Sequence, residues 1–239
     1  MKSENTSSAE SRKLGKLTRQ HLKWTPKQYR RRLSYLRAHI DVVERKMCAG
    51  EWDSINFEKV PSKAVLNYKS CFKTHAKESW ENFLKRVESG DAKIQAGAVF
   101  PYEILKRIWQ SSDATDIKAL DLQWKNQPDW LAENPHNGLV LADVSGSMTS
   151  NDMLPLAVSI SLAIYFAERN KGAFENCFMT FSDNCQLQRL VGSNLKERAH
   201  NLGKDGWCGS TNLQSAFDAI LNSAVKNKVS ERDMPSTLY

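Results

Sequence analysis

The 239-residue sequence has few of the residues that build disulfide frameworks, zinc sites or histidine-based catalytic centres. Its five cysteines are widely spread and never form a C-x-x-C pair, which favours reduced thiols in a reducing, cytosol-like compartment. The five histidines are scattered, as is typical of surface or locally bonded histidines rather than of ligands or bases. G-x-x-x-x-G-K-[ST] and G-x-S-x-G motifs are missing, which excludes a P-loop and an α/β-hydrolase elbow.

The chain also has no long apolar run and no N-terminal secretory pattern. The longest nearly apolar stretch, Leu154 to Ala167, contains two serines and is too short to span a bilayer. Hydrophobic residues make up 41% of the chain and charged residues 26%, as in globular proteins with a real core. We therefore expect a cytoplasmic protein with no membrane partner.

The net charge of +7 is concentrated at one end of the chain. Residues 1–50 contain thirteen Lys and Arg against four Asp and Glu, whereas residues 131–239 contain nine against eleven. Such a basic arm favours contact with a polyanion such as RNA, or it serves solubility alone. The four arginines proposed to contact phosphates are Arg30, Arg31, Arg32 and Arg37.

The pattern of residues 1–133 predicts a disordered basic leader followed by a helical domain. Residues 1–24 are polar with no sustained apolar period, and Thr25-Pro26 marks a helix start. Apolar residues at helical spacing then predict four or five helices over 25–133, the first of about five turns ending near Gly50. Tryptophans in this half either pack in the core, the more common case, or stack on bases.

From residue 134 to 239 the pattern changes to alternating strands and helices. Leu139–Ala142 and Cys177–Phe181 have the continuous apolar character of buried parallel strands, and the helices predicted over 154–169 and 213–226 are largely apolar. The predicted fold class is α plus α/β, an all-helical N-terminal half followed by a doubly wound, mostly parallel Rossmann-like sheet. The last residues, 236–239, look like the start of a further strand, so we expect this domain to be partial and C-terminally truncated.

One motif stands at the predicted carboxyl end of the first strand, where doubly wound sheets bind ligands. Asp143, Ser145 and Ser147 alternate along the chain, so one carboxylate and two hydroxyls can converge. Hard oxygen ligands suit Mg²⁺ (or Mn²⁺ or Ca²⁺) better than Zn²⁺. A later Gly-Ser-Thr loop can add the hydroxyl of Thr211. The same pattern also occurs in ordinary strand-to-helix turns and helix caps.

The run Asp143-Val144-Ser145-Gly146-Ser147-Met148 resembles the metal-ion-dependent adhesion site of a von Willebrand factor type A domain. The resemblance implies that Asp143, Ser145, Ser147 and Thr211 hold Mg²⁺ and that an acidic group of a partner protein completes the shell. Residues 179–183 resemble the family's next strand, although Asp183 is not an expected ligand. An Asp after the fourth strand, which the family uses, has no match in this chain.

Further motifs in the helical half resemble a family in which helices precede a type A half. They are Trp52-x-x-Ile55, Val60-Pro61-Ser62-x-Ala64, and residues 91–97 through 101–104. This architecture is similar to the TROVE module of the Ro RNA-binding proteins, over residues 45 to 239. The resemblance implies a non-enzymatic protein that binds a partner through Mg²⁺ and contacts RNA through its helices. The alternative is an interaction protein with a vestigial metal site and no nucleic-acid role.

Overall fold

A computed structural model describes residues 8–132, 138–181, 185–202 and 212–239. They divide into two compact units, the first ending at Ile55 and the second beginning at Asn56. The boundary predicted at residues 133 and 134 lies outside the described residues, and the predicted domain limits stay a prediction. Within the second unit, helices from before that point and strands from after it contribute side chains to the same hydrophobic core.

The first unit begins with a helix where we predicted a disordered leader. Helix α1 spans Ser8–His21, so the prediction was wrong for these residues; residues 1–7 lie outside the described part. Helix α2 (Pro26–His39) lies beside it: a Cβ on Gly15 would be 3.7 Å from the hydroxyl of Tyr29. Composition predicted disorder because it does not register a contact of this kind between two helices.

The helix predicted from Thr25 to near Gly50 is interrupted. The start is as predicted, because Thr25 and Gln28 form a reciprocal capping box. Helix α2 ends at His39, Asp41 adopts a left-handed conformation with φ of +49°, and helix α3 follows over Val43–Ala49. Asp tolerates this conformation better than most residues, and its presence breaks a pattern that remains periodic in sequence.

The second unit contributes four more helices before its sheet, close to the predicted positions. They are α4 (Ser62–His75), α5 (Lys77–Ser89), α6 (Pro101–Gln110) and α7 (Ala114–Lys125). Gly90 ends α5 at φ of +86°, a conformation that costs glycine little. Trp80 and Trp124 are 0% and 1% exposed, which confirms core packing for these two tryptophans, whereas Trp130 is 51% exposed.

The strands are short and belong to a mixed sheet. They are β1 (Gly138–Leu139), β2 (Leu141–Ala142), β3 (Cys177–Thr180), β4 (Leu187–Arg189) and β5 (Thr237–Leu238). β1 pairs in parallel with β5, β2 pairs in parallel with β3, and β3 pairs antiparallel with β4. Because β1 and β2 are separated only by Val140, the run 138–142 lies between β3 and β5. The coarse class is therefore α+β, with helices and a small, partly parallel sheet.

Hydrogen bonds on both edges of this central run fix its register. The amide of Tyr239 donates to Leu139 O at 2.9 Å, and the amide of Leu141 donates back to Tyr239 O at 2.9 Å. On the other edge, the amide of Met179 donates to Val140 O at 2.9 Å. Gly138 is needed at the start of the run, because a Cβ there would lie 2.6 Å from the ring of Tyr239.

Alternate residues of the central run point into two different cores. Val140 and Ala142 belong to the larger cluster, which contains helix α8 (Ser150–Arg169) and side chains of α4, α6 and α7. Leu139 and Leu141 belong to a second cluster with side chains of helix α10 (Leu213–Lys226). Helices thus cover both faces of the sheet, and a further helix that the sequence did not predict, α9 (Leu195–Leu202), joins the larger cluster.

Helix α10 faces the sheet with a different side from the one predicted. Ala216, Ile220 and Ala224 are buried, because the two alanines let the helix approach closely. Of the residues predicted to point inward, Leu213, Phe217 and Leu221 are instead between 52% and 57% exposed. The larger apolar side chains of this helix therefore form an exposed stripe.

Helix α8 is the longest helix of the described residues. Leu156, Ile160 and Ile164 are each 0% exposed, so its centre is part of the core. By length and composition the stretch Gly146–Arg169 could cross a membrane, a test that buried core helices also pass. Its regular part begins after residues 151–153, which have φ between +49° and +56°, and Pro155 sits in the first turn, where its missing N–H costs nothing.

Five 3₁₀ turns complete the described elements. They are Trp52–Ser54, Phe57–Lys59, Gly146–Thr149, Gly172–Phe174 and Glu231–Asp233. The third of these carries the predicted metal motif.

Candidate functional site

The predicted metal ligands begin directly where the central run ends. Asp143 follows β2, and the next residue, Val144, is 2% exposed and packs in the larger core cluster. This buried valine holds the loop against the core and leaves the flanking residues 143 and 145 half-buried. The position of the loop is therefore set by the same alternation of side chains that builds the strand.

The structure brings Asp143, Ser145 and Ser147 together within one turn. The backbone amide of Ser145 donates to Asp143 Oδ1 at 2.9 Å, and the two serine hydroxyl oxygens lie 2.9 Å apart. The turn is closed by the amide of Met148, which donates to Ser145 O at 3.0 Å, and by Thr149 Oγ1, which donates to Gly146 O at 2.7 Å. Both bonds fix the backbone that carries the hydroxyls.

The separation of the hydroxyls fits a small hard cation. Two neighbouring ligands of an octahedral Mg²⁺ at about 2.0–2.1 Å lie about 2.9 Å apart, which is the distance between Ser145 Oγ and Ser147 Oγ. Asp143 Oδ1 is occupied by a backbone amide, so its second oxygen is the one available to a cation. The donor set is one carboxylate and two hydroxyls, which suits Mg²⁺ better than a metal that prefers sulfur or imidazole.

The remaining predicted contributions to this site cannot be located. Thr211 lies outside the described residues, as do Asp183 and most of the Gly-Ser-Thr loop. Asn212, the last residue of that loop, caps α10 by accepting from the amide of Ser215 at 3.0 Å. Across the described residues, no group of three or more His, Cys, Asp or Glu could hold a metal, so Asp143 is not part of a carboxylate cluster there.

The four predicted nucleic-acid contacts lie together on helix α2 in the first unit. Arg30, Arg31, Arg32 and Arg37 are all exposed, and within the described part of the chain none of them has an ion-pair partner. The guanidinium of Arg32 lies 5.3 Å from the centre of the Tyr35 ring.

Beside these arginines lies an open groove of about 360 Å³. Its walls include the side chains of Trp24, Arg31, Arg32 and Tyr35. The surface therefore combines unpaired cations with two aromatic rings.

Cysteines and histidines agree with the sequence analysis where they are described. Cys48, Cys71, Cys177 and Cys185 are free thiols, the last two buried. Burial raises the pKa of the Cys177 thiol, which keeps it protonated and unreactive. Cys208 and His136 lie outside the described residues, and the four other histidines are exposed.

A polar pocket between α4, α6 and α7 was missed by sequence reasoning. Its volume is about 290 Å³, and Lys69 and Arg107 are among its lining residues. Lys69 gave a signal that could have revealed it. It shares a helix face with Val65, Leu66 and Phe72, all of them buried, and a lysine at such a position is unusual.

Comparison with known proteins groups the chain with two families. A family profile described as a domain of unknown function (DUF2828) matches residues 1–134, more than half of the chain. The chain belongs to the DUF2828 family. A second profile, also described as a domain of unknown function (DUF7788), matches residues 137–239, which contain the metal motif.

One curated relative of this DUF2828 chain is a viral protein. It is 30% identical over 230 residues to the "Uncharacterized protein L728" of Acanthamoeba polyphaga mimivirus. The match covers 90% of this chain and 39% of the viral protein, so the chain spans well under half of its relative's length. No solved structure matches the chain.

Proposed function

We propose that residues 138–239 form a von Willebrand factor type A-like domain that binds a partner protein through a divalent cation. Asp143, Ser145 and Ser147 hold the cation, and Thr211 adds a further hydroxyl. The observation that carries the proposal is the 2.9 Å separation of the two serine hydroxyls in a loop fixed by the core. The role is binding rather than catalysis, because these hydroxyls bond to each other and not to a general base.

The strand arrangement supports this choice of site. Along the sheet the order is β4, β3, the central run 138–142, and β5. The chain leaves the central run through α8 on one face and reaches β5 after α10 on the other. A Rossmann-like sheet has this order around its switch point, and ligands bind outside the carboxyl ends of the strands there. Asp143 occupies that position.

The charge of the donor set indicates the kind of partner. A divalent cation held by one carboxylate and neutral hydroxyls keeps a net positive charge. A carboxylate from a partner protein neutralises it and fills an open coordination position. The protein is expected to do this in a reducing, cytosol-like compartment, in keeping with its free thiols.

Magnesium titration with thermal unfolding as the readout tests the site. At a Mg²⁺ concentration ten times the dissociation constant, binding to the folded state alone adds about 1.4 kcal/mol to its stability. In a chain of this length that corresponds to a rise in Tm of about 3–6 °C. Asp143→Ala removes the only carboxylate of the proposed set and should abolish the rise.

Glu175→Ala is a matched control, because this exposed carboxylate lies before β3 at the opposite end of the sheet. It should keep the response of the unsubstituted chain. An equal Mg²⁺ response in both variants would rule out the proposed ligand set. No response in any of the three proteins would favour an interaction protein with a vestigial site.

A second function, contact with RNA or another polyanion, is favoured by the unpaired arginines of α2. Cations without carboxylate partners can neutralise phosphates, and aromatic rings beside them can stack on bases. The test is binding to a mixed RNA pool at two salt concentrations, with Arg31→Gln and Arg32→Gln combined. The double variant should reduce the salt dependence of binding by about two ion contacts.

The control for the RNA experiment is Lys85→Gln combined with Lys93→Gln, two exposed cations of the second unit with the same total charge change. An equal loss in both double variants would mean that net charge alone acts. The absence of binding at low salt would remove the nucleic-acid role altogether.

A further inference from the structure

The polar pocket of the second unit is unlike the rest of the helical core. It opens between α4, α6 and α7, and each of the side chains that line it is polar or charged. Its volume of about 290 Å³ is near the lower end of the range of small-molecule sites, roughly 300–1,000 Å³. A ligand for this pocket must therefore be small and polar.

Lys69 forms the floor of the pocket. The residue is 7% exposed, and its Nζ donates to Leu66 O at 3.1 Å. An ammonium group has three N–H donors, so two remain for other acceptors. Burial lowers the pKa of Lys69, the Asp116 carboxylate opposes that change, and the Arg107 guanidinium adds to it. The two cations are thus close enough to repel each other.

The carboxylates at the pocket already have partners. Asp113 Oδ2 lies 2.9 Å from Lys73 Nζ, and Asp113 Oδ1 accepts from the amide of Asp116 at the start of α7. Asp116 Oδ2 accepts from the hydroxyl of Ser70 at 2.7 Å. In the part of the chain that the structure describes, neither Lys69 nor Arg107 has a carboxylate within ion-pair distance.

Arg107 stands at the mouth of the pocket and is exposed. Its guanidinium donates to Asn67 Oδ1 at 3.1 Å, a neutral acceptor that leaves its charge uncompensated. The hydroxyls of Ser70, Ser111 and Ser112 also line the pocket. A cation at the floor, a cation at the mouth and hydroxyls between them form a set of donors suited to several oxygens of one anion.

We propose that this pocket binds a small oxyanion, inorganic phosphate or a compact phosphate monoester, between Lys69 and Arg107. An anion there relieves the repulsion between the two cations and accepts charge-assisted hydrogen bonds from both. Tetrahedral phosphate presents oxygens toward the floor and the mouth at the same time. The site lies apart from the metal loop, so the proposal does not depend on the function proposed above.

The experiment measures binding of inorganic phosphate and of glycerol phosphate by calorimetry in the full chain. Ionic strength is held constant with chloride, and a chelator removes divalent cations so that the metal loop does not contribute. Saturable binding of either compound is expected. Equal affinities identify phosphate itself as sufficient, and tighter glycerol phosphate binding identifies a monoester.

Arg107→Gln is the main variant, because the residue is exposed and its loss leaves the core intact. Removing one charge-assisted donor should weaken binding roughly tenfold to a hundredfold. Lys85→Gln on α5, an exposed cation away from the pocket, should change the affinity less than about twofold. Lys69→Met tests the floor, and circular dichroism shows whether that variant folds.

Three results would overturn the proposal. The first is no saturable binding by the unsubstituted chain, and the second is equal affinity in the Arg107→Gln and Lys85→Gln variants. The third is unchanged affinity in a folded Lys69→Met variant. Binding only to long RNA, with none to either small phosphate, would also overturn it.

Discussion

Ile108→Ala tests whether the helices and the sheet of residues 56–239 unfold together. Ile108 lies on α6, is 0% exposed, and belongs to the cluster that also contains Val140 of the central run and Phe178 of β3. Truncating a buried isoleucine to alanine costs about 2–5 kcal/mol, because burial is lost and a cavity remains. If the cluster is one cooperative core, this loss reaches strands that do not carry the substitution.

Hydrogen exchange at the amide of Met179 measures this effect. That amide donates to Val140 O at 2.9 Å in the sheet, on a different element from the substitution. When exchange requires global unfolding, each 1.4 kcal/mol lost speeds it about tenfold. Ile108→Ala should therefore accelerate exchange at Met179 by roughly 30-fold to several thousandfold.

Leu221→Ala on α10 serves as the control for the exchange experiment. It removes the same kind of apolar side chain, but Leu221 is 57% exposed. Its effect should stay within about 0.5 kcal/mol. If Ile108→Ala speeds exchange only in the helices and leaves the Met179 amide unchanged, the single-core interpretation is wrong.

Three further predictions concern individual side chains. Tyr165→Phe removes a hydroxyl that donates to a backbone carbonyl at 2.6 Å and accepts from the amide of Trp130 at 2.9 Å, and urea unfolding should show a loss of about 1–3 kcal/mol. Because burial lowers the pKa of Lys69, the unfolded chain binds this proton more tightly, so stability should rise with pH from the folded pKa up to about 10.5. Urea midpoints across this range should lose that component of the rise in Lys69→Met, and an identical pH profile would contradict the shift. Iodoacetamide should modify exposed Cys48 well before buried Cys177, whose pKa is raised by burial, and mass spectrometry of early time points would reveal the reverse order.

The metal motif shows how far local sequence can predict a site. Asp143, Ser145 and Ser147 are within five residues of one another, so their meeting in one turn follows from short-range geometry. The sequence also placed them after a buried strand, and the structure confirms that position. Whether Thr211 joins them depends on a loop far along the chain and outside the described residues, and it stays a prediction.

The polar pocket shows what local sequence could not predict. Its two cations are separated by almost forty positions, on helices α4 and α6, and nothing in the spacing of either helix indicates the other. Only packing of the helices brings Lys69 and Arg107 close together. The unusual position of Lys69 marked the residue but not its neighbours.

The sequence alone determined most helix limits in the second unit, because caps, prolines and glycines act within a few residues. Gly90 ends α5 and Pro101 begins α6 where the pattern predicts. Tertiary structure decided the rest: which face of α10 is buried, that α1 forms against α2, and that helices and sheet share a core. These depend on contacts between distant segments, whose free energy no local pattern contains.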